Sequence, residues 1–147
     1  MKIIQANETH IDQVVNLFDA YRVWYGKPSD KDAAHDFLLE RMKSKESIIY
    51  VAEDENGKLV GFTQLYPIFS STRMKRMWLL NDLFVQPESR GKRVSKILIN
   101  EAKKLAKSNN ACGILLETEK SNDIGNHLYP SMDFELEGNN FYFWTNK

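Results

Sequence analysis

Three stretches of this sequence carry residue types and spacings that could do chemistry. The first is Arg90-Gly91-Lys92-Arg93-Val94-Ser95-Lys96, where cationic side chains and free backbone N–H groups meet at the start of a helical pattern. Unsatisfied amides give a helix N-terminus partial positive charge, so this combination suits an anion, and a phosphate is the natural guest. Charge and spacing alone leave a solvated basic turn as the other reading. The second stretch is Asn81-Asp82, the polar interruption of an otherwise apolar strand-like run over 78–85. The third runs from Ser121 to Tyr129, a polar loop entering a short helix with Asn122, Asn126 and His127 on the way. On residue type alone Asn122 reads as a helix cap and Tyr129 as a packing aromatic.

The elements that must position these groups follow from periodicity. The run 78–85 predicts a buried strand, closed by Pro87, which has no N–H to give a ladder. A tight loop over 86–90 precedes a helix from Gly91 to about Lys107, striped by Val94, Ile97, Leu98, Ala102, Leu105 and Ala106. Upstream, a strand over 2–6 leads to Asn7 as N-cap. A helix follows, with Ile11, Val14, Val15, Phe18, Tyr21 and Tyr25 on one stripe and Gly26 and Pro28 as its stop. Ser29 or Asp30 caps a second helix over about 31–43, with Ala34, Phe37, Leu38 and Met42 inward. Strands over 47–53 and 58–69 flank an Asn56-Gly57 hairpin turn, the second broken near Pro67. A polar connection over 70–75 leads to the central strand. Downstream, 112–118 is a buried strand that begins with Cys112 as a core residue. The segments 134–137 and 140–145 form a closing hairpin around Gly138-Asn139. This order is a mixed α/β sheet with helices on both faces.

Composition removes several classes of function. With 147 residues, 42% of them hydrophobic, the chain reads as one domain over 1–147 with a real core. Twenty basic against twenty acidic residues give no net field, which argues against a nucleic-acid partner. His10, His35 and His127 form no ligand spacing with each other or with Cys112, so no metal site is expected. No G-x-x-x-x-G-K-[ST] phosphate loop is present. A single cysteine permits a reducing compartment. No apolar stretch reaches the roughly 18 residues of a membrane span, so no membrane partner is expected and a cytoplasmic location is the default.

The segment V-Q-P-E-S-R-G-K-R-V-S-K-I-L resembles the acyl-CoA-binding segment of the GNAT superfamily of N-acyltransferases. In that signature, [Q/R]-x-x-G-x-[G/A], Arg90 takes the first position, Arg93 stands where glycine is usual, and Ser95 stands at the Gly/Ala position. A later family signature places an asparagine seven residues before a tyrosine, a short step ahead of G-F. Asn122 and Tyr129 have that spacing, with Asp133 in place of the glycine before Phe134. Two motifs in the right order, together with the element order, extend the resemblance over nearly the whole chain. It implies a GNAT-like, mostly antiparallel central sheet.

The resemblance implies direct attack of an amine on the acetyl-CoA thioester, with acetyl-CoA as co-substrate. Tyr129 would be the general acid that returns a proton to the CoA sulfur. Leu83, Phe84 and Val85 would offer backbone groups to the pantetheine and polarise the thioester carbonyl. Strand alternation puts Asn81, Leu83 and Val85 on one face and Leu80, Asp82 and Phe84 on the other. Arg90, Gly91, Lys92, Arg93, Val94, Ser95 and Lys96 would hold the pyrophosphate, and Asn122 and Asn126 the CoA arm. Trp24 and Tyr25, at the turn after the first helix, would line the acceptor pocket if they are not simply core.

The run L-N-D-L-F-V is similar to L-E-D-F-F-V of diamine acetyltransferases, with Asn81 at the position of a glutamate that handles the amine. Asparagine cannot be a base. The proton therefore falls to Asp82, to a water chain, or to another acid such as Glu117 or Glu119. His127, two positions before Tyr129, should point elsewhere on the helix. A small primary amine, polyamine-like or amino-acid-derived, is the expected acceptor. A protein or peptide amine and a non-catalytic acyl-CoA sensor are the alternatives. The aromatic run Phe141-Tyr142-Phe143-Trp144 should be mostly core, and an exposed edge there would suit a homodimer.

Overall fold

β-branched and aromatic runs set the strands of this protein, and 3.6-residue apolar stripes set its helices. The computed structural model describes residues 1–147, which fall into two units, 1–117 and 118–147. The first contains β1 (Lys2–Gln5), α1 (Ile11–Trp24), α2 (Lys31–Lys43), β2 (Ile48–Glu53), β3 (Leu59–Ser70), β4 (Lys75–Val85), α3 (Val94–Ser108) and β5 (Ile114–Leu115). The second contains α4 (Asp123–Ser131).

The sheet runs β1-β2-β3-β4-β5, antiparallel through β4, with β5 added in parallel. This is the expected mixed, mostly antiparallel sheet. Val14, Val15, Leu17 and Phe18 of α1 and Ala34 and Leu38 of α2 pack with Ile49, Val51, Phe62 and Phe84 on one face. Val94 of α3 approaches the other. A Cβ added at Gly61, next to Phe62, would stand 3.3 Å from the Val94 side chain and 3.0 Å from the Phe84 carbonyl oxygen. Only a residue without a side chain lets α3 come so close to the sheet.

The turn from α1 to α2 is tied by a buried carboxylate. Asp19 accepts from the Ser29 hydroxyl at 2.7 Å and from the Asp30 N–H at 2.8 Å, and Asp30 in turn caps α2 through Ala33 N–H. Burial alone would raise the Asp19 pKa. The Ser29 and Asp30 hydrogen bonds and the Lys31 and Arg22 charges outweigh it, so the carboxyl titrates below the ordinary range. Asp19→Ala is expected to cost about 2–3 kcal/mol at neutral pH, since it removes two hydrogen bonds to a buried charge. Because the folded pKa is depressed, this stability exists above about pH 3.9 and vanishes as pH falls through the folded value. Urea denaturation of the variant and wild type at pH 7 and in acid should therefore converge at low pH.

Several sequence expectations are corrected. β3 runs unbroken through Pro67, which pairs with Trp78 of β4. The β2 ladder ends at Leu65, so Pro67 has a strand on one side only and its missing N–H costs nothing. α3 begins at Val94, because Arg93 takes the left-handed conformation that a helix cannot continue. β4 starts at Lys75, and β5 keeps only Ile114 and Leu115 of the expected 112–118. Cys112 is half-buried rather than core. Phe37 is partly exposed. The closing hairpin is absent: residues 134–147 form no strand.

Candidate active site

Asn81 interrupts the β3–β4 ladder. Gln64 pairs with Asp82 while the next residue, Leu65, pairs with Leu80, so Asn81 is the extra residue of a bulge. A one-residue insertion reverses which face each later side chain takes. Leu80 therefore lies on the α3 face, whereas Asp82 and Phe84 share the α1 face with Gln64 and Phe62. The expected grouping of Leu80 with Asp82 and Phe84 is thus corrected, and the bulge is the reason. β5 pairs with β4 only at Trp78 and Leu79. On that side, no strand pairs with Leu80–Val85, and this part of β4 keeps a strand neighbour in β3 alone.

The bulge aims a carboxylate inward. Asp82 is 4% exposed, accepting from Gln64 Nε2 at 2.8 Å and from Asn81 Nδ2 at 3.2 Å. Burial pushes its pKa above the ordinary aspartate value, while hydrogen bonds from Gln64, Asn81 and Tyr21 pull the other way without cancelling it. Nearby, burial first and the Asp82 charge second push the Tyr66 phenol up to about 12, against the opposing Arg41 charge. Asn81 itself is exposed, and the Tyr21 hydroxyl reaches its carbonyl oxygen at 3.5 Å. Gln64, Tyr21 and Tyr66 are members of this site that the sequence reading missed. A glutamine inside the apolar run of β3 was the available signal.

The end of α1 brings an aromatic group beside β4. The Tyr21 ring lies edge-on to Tyr25 at 5.0 Å and to Phe84 at 6.1 Å. The Trp24 side chain is 65% exposed and Tyr25 is 49% exposed, which overturns the core reading of this pair. Arg90 joins Trp24 to the basic loop. Its guanidinium sits 4.6 Å from the Trp24 ring centroid and 5.6 Å from that of Phe84, while Nε donates to the Val85 carbonyl at 2.9 Å. The Arg90 side chain thus braces the loop against β4 and α1.

The start of α3 keeps the shape of the missing glycine. Gly91 has φ +78° and Arg93 φ +63°, so arginine occupies the left-handed backbone that glycine would adopt at lower cost. Unlike α2 and α4, whose first turns are capped by Asp30 and Asn122, α3 has no side-chain cap and no acid in its first turn. Its leading N–H groups remain available, flanked by exposed Lys92, Arg93 and Lys96 and by the small Ser95. That donor set fits a diphosphate. Arg93→Gly is expected to raise stability by about 0.5–1 kcal/mol, near 2 °C in Tm, through relief of backbone strain. Thermal melts would check this.

In the second unit, the two asparagines serve the beginning of α4. Asn122 accepts from Gly125 N–H at 3.1 Å and donates to Thr118 Oγ1 at 2.9 Å. Asn126 Nδ2 donates to the carbonyls of Asn122 and Glu119. Capping, the alternative for Asn122, is what this geometry displays. Tyr129 is half-buried on α4, its ring edge-on to Phe134 at 5.9 Å. His127 turns Nδ1 to its own helix at the Asp123 carbonyl, 2.7 Å away.

The profile described as the Acetyltransferase (GNAT) family matches residues 11–134. The "uncharacterized N-acetyltransferase YhfO" of Bacillus subtilis (strain 168) is 43% identical, over 92% of this chain and 90% of that protein. A crystal structure of a probable acetyltransferase is 37% identical, with a TM-score of 0.95 over 100% of this chain and 99% of that one. The aminoglycoside N-acetyltransferase AAC(6')-Iy, solved with CoA, shares the fold at a TM-score of 0.82 and 21% identity, over 99% of this chain and 95% of its own.

Proposed function

Because this chain belongs to the GNAT acetyltransferase family, for which acetyl-CoA is the donor, we propose that it acetylates a primary amine of a small molecule, polyamine-like or amino-acid-derived, by direct attack in a ternary complex. One N-acetyltransferase domain spans 1–147 in this reading. The observation that carries it is the state of β4: its backbone has no strand partner on the β5 side past Leu79, and its bulge buries Asp82 beside that stretch. Backbone groups of Leu83–Val85 are available to pair with pantetheine as a short pseudo-strand. An N–H there polarises the thioester carbonyl, where negative charge develops. The uncapped start of α3 with Gly91, Lys92, Arg93, Val94, Ser95 and Lys96 holds the pyrophosphate.

A free alkylamine has a pKa of about 10, like lysine, and arrives largely protonated at neutral pH. Asp82, desolvated and therefore more basic than an ordinary carboxylate, receives that proton directly or through water. Asn81 donates to Asp82 Oδ1 and so orients the base without being one. The neutral nitrogen attacks the carbonyl carbon, the C–S bond breaks, and the Tyr129 hydroxyl gives its proton to the departing sulfur. The nitrogen, cationic once bonded to carbon, releases its surplus proton through water to restore the Tyr129 hydroxyl. Trp24 and Tyr25, exposed at the end of α1, supply aromatic faces that suit a cationic amine. Acetylation rates on spermidine, a diamine, free lysine and a lysine peptide test the acceptor class. Preference for the small amines is expected, and preference for the peptide would overturn that assignment.

A further inference from the structure

Strand pairing gathers a second group of side chains near the turn between β3 and β4. Ile48 stands opposite Leu65, Pro67 opposite Trp78, and Phe69 opposite Arg76. Residues two apart on a strand share a face, so these six share the face of Leu80, the reverse of the one that holds Asp82. Beside them, between the start of β2, the end of α2 and the chain after β1, lies a cavity of about 480 Å³ whose lining belongs wholly to 1–117. That volume falls within the roughly 300–1,000 Å³ of small-molecule sites. Ile48, Pro67 and Trp78 give the cavity an apolar wall, and Arg76, Lys45, Ser47 and Glu8 are among its polar lining.

Three of these polar groups lack the partners that side chains of their kind take. The Arg76 guanidinium carbon lies 5.1 Å from the Phe69 ring centroid and 5.6 Å from that of Trp78. A guanidinium held against rings keeps its in-plane N–H edge, the fork that matches a carboxylate. Neither Arg76 nor Lys45 is paired with an acid, and Glu46, next to Lys45 in sequence, is taken by Arg41 at 3.1 Å. The Ser47 hydroxyl oxygen is buried with no hydrogen-bond partner, a state that protein interiors seldom leave. Glu8 is the one acid of the lining, so two cations against it leave a single positive charge for a ligand to balance.

We propose that this cavity is a second small-molecule site, apart from the acetyl-transfer site, and that it binds a monocarboxylate with an apolar body. Arg76 grips the carboxylate, Lys45 adds its charge, and the Ser47 hydroxyl gains an acceptor. The apolar body lies against Ile48, Pro67 and Trp78. Inorganic phosphate matches less well, because it brings more charge than the lining balances and no body for the apolar wall. The site uses neither Asp82 nor Tyr129 nor the basic loop, so it stands independently of the acceptor assignment.

Calorimetric titration of the full chain with phenylacetate and with hexanoate, at fixed ionic strength, tests the proposal. Saturable binding of at least one of them is expected, about 10-fold or more tighter than acetate, which lacks the apolar body. It should also be tighter than inorganic phosphate. No saturable binding of either probe, or binding no tighter than that of acetate and phosphate, would overturn the proposal. Saturating acetyl-CoA should leave the affinity unchanged; displacement by acetyl-CoA would place the probe in the donor site and overturn it. Arg76→Gln should weaken binding about 10-fold or more, and Ser47→Ala about 3–10-fold, each variant checked for a native circular dichroism spectrum. Arg76→Lys, which keeps the charge without the fork, should lie nearer to Arg76→Gln than to wild type. Unchanged affinity in whichever of the Arg76→Gln and Ser47→Ala variants folds would overturn the site.

Discussion

Replacing Tyr129 by phenylalanine is expected to lower kcat by about 100-fold while leaving the KM for acetyl-CoA nearly unchanged. The Tyr129 ring packs edge-on against Phe134, and a phenyl ring keeps that contact. What disappears is the hydroxyl proton. A thiolate leaving group has a pKa near 8.5, by analogy with cysteine, and so is only moderately basic. Acid assistance to such a group sits at the low end of the usual 10²–10⁴-fold range. The loss should also shrink as the pH falls and bulk hydronium takes over the protonation. A kcat within about threefold of wild type would mean that Tyr129 is a packing aromatic and that the thiolate leaves unassisted.

Asp82→Asn should separate activity from stability in a different way. The expected result is a fall of about 100-fold or more in kcat/KM at neutral pH, with a melting temperature equal to or above that of wild type. Gln64 gives the structural reason. Its Oε1 is buried without a hydrogen-bond partner while its Nε2 donates to Asp82. The asparagine carbonyl oxygen can still accept from Gln64 Nε2, so the substitution removes a desolvated charge and keeps this hydrogen bond.

The sign of the pH effect follows from linkage. Burial raises the folded pKa of Asp82, so the folded state holds its proton more tightly than the unfolded chain does. That contribution to stability is complete below about pH 3.9 and is lost as pH rises through the folded value. The variant should therefore gain on wild type over that interval and stay level above it. In wild type, kcat/KM should rise with pH on a limb set by the raised Asp82 pKa, and this limb should be missing from the residual activity of the variant. A full-strength variant, or one with the same acid limb, would assign the proton to another group.

Much of this fold is legible in the sequence because its signals are local. Asp30 and Asn122 cap α2 and α4 where their residue types put them. The stripe of α3 buries Val94, Leu98 and Ala102 as its period predicts. The basic loop is visible because it is contiguous. What escaped is decided by pairing between distant segments. The bulge at Asn81 depends on the register of β3 against β4, which moves Asp82 to the α1 face with no mark in the local pattern. Arg93 holds a glycine conformation because the loop and α3 impose it, and nothing in R-G-K-R displays that. Trp24 is exposed although it ends an amphipathic helix, with the Arg90 guanidinium over its ring. The expected terminal hairpin has strand-like composition, yet residues 134–147 form no strand, because composition alone cannot supply a pairing partner.

Release of free CoA thiol from acetyl-CoA, followed across spermidine, diamines, lysine-like amino acids, an aminoglycoside and a lysine peptide, tests the central claim most directly. Wild-type protein is expected to turn over acetyl-CoA with one class of small primary amine, to give the acetylated amine in equal amount, and to lose that turnover in Tyr129→Phe and Asp82→Asn. Acetyl-CoA that binds, and so stabilises the fold, yet is released as thiol with none of these amines would contradict the account and leave a donor-binding protein without the proposed chemistry.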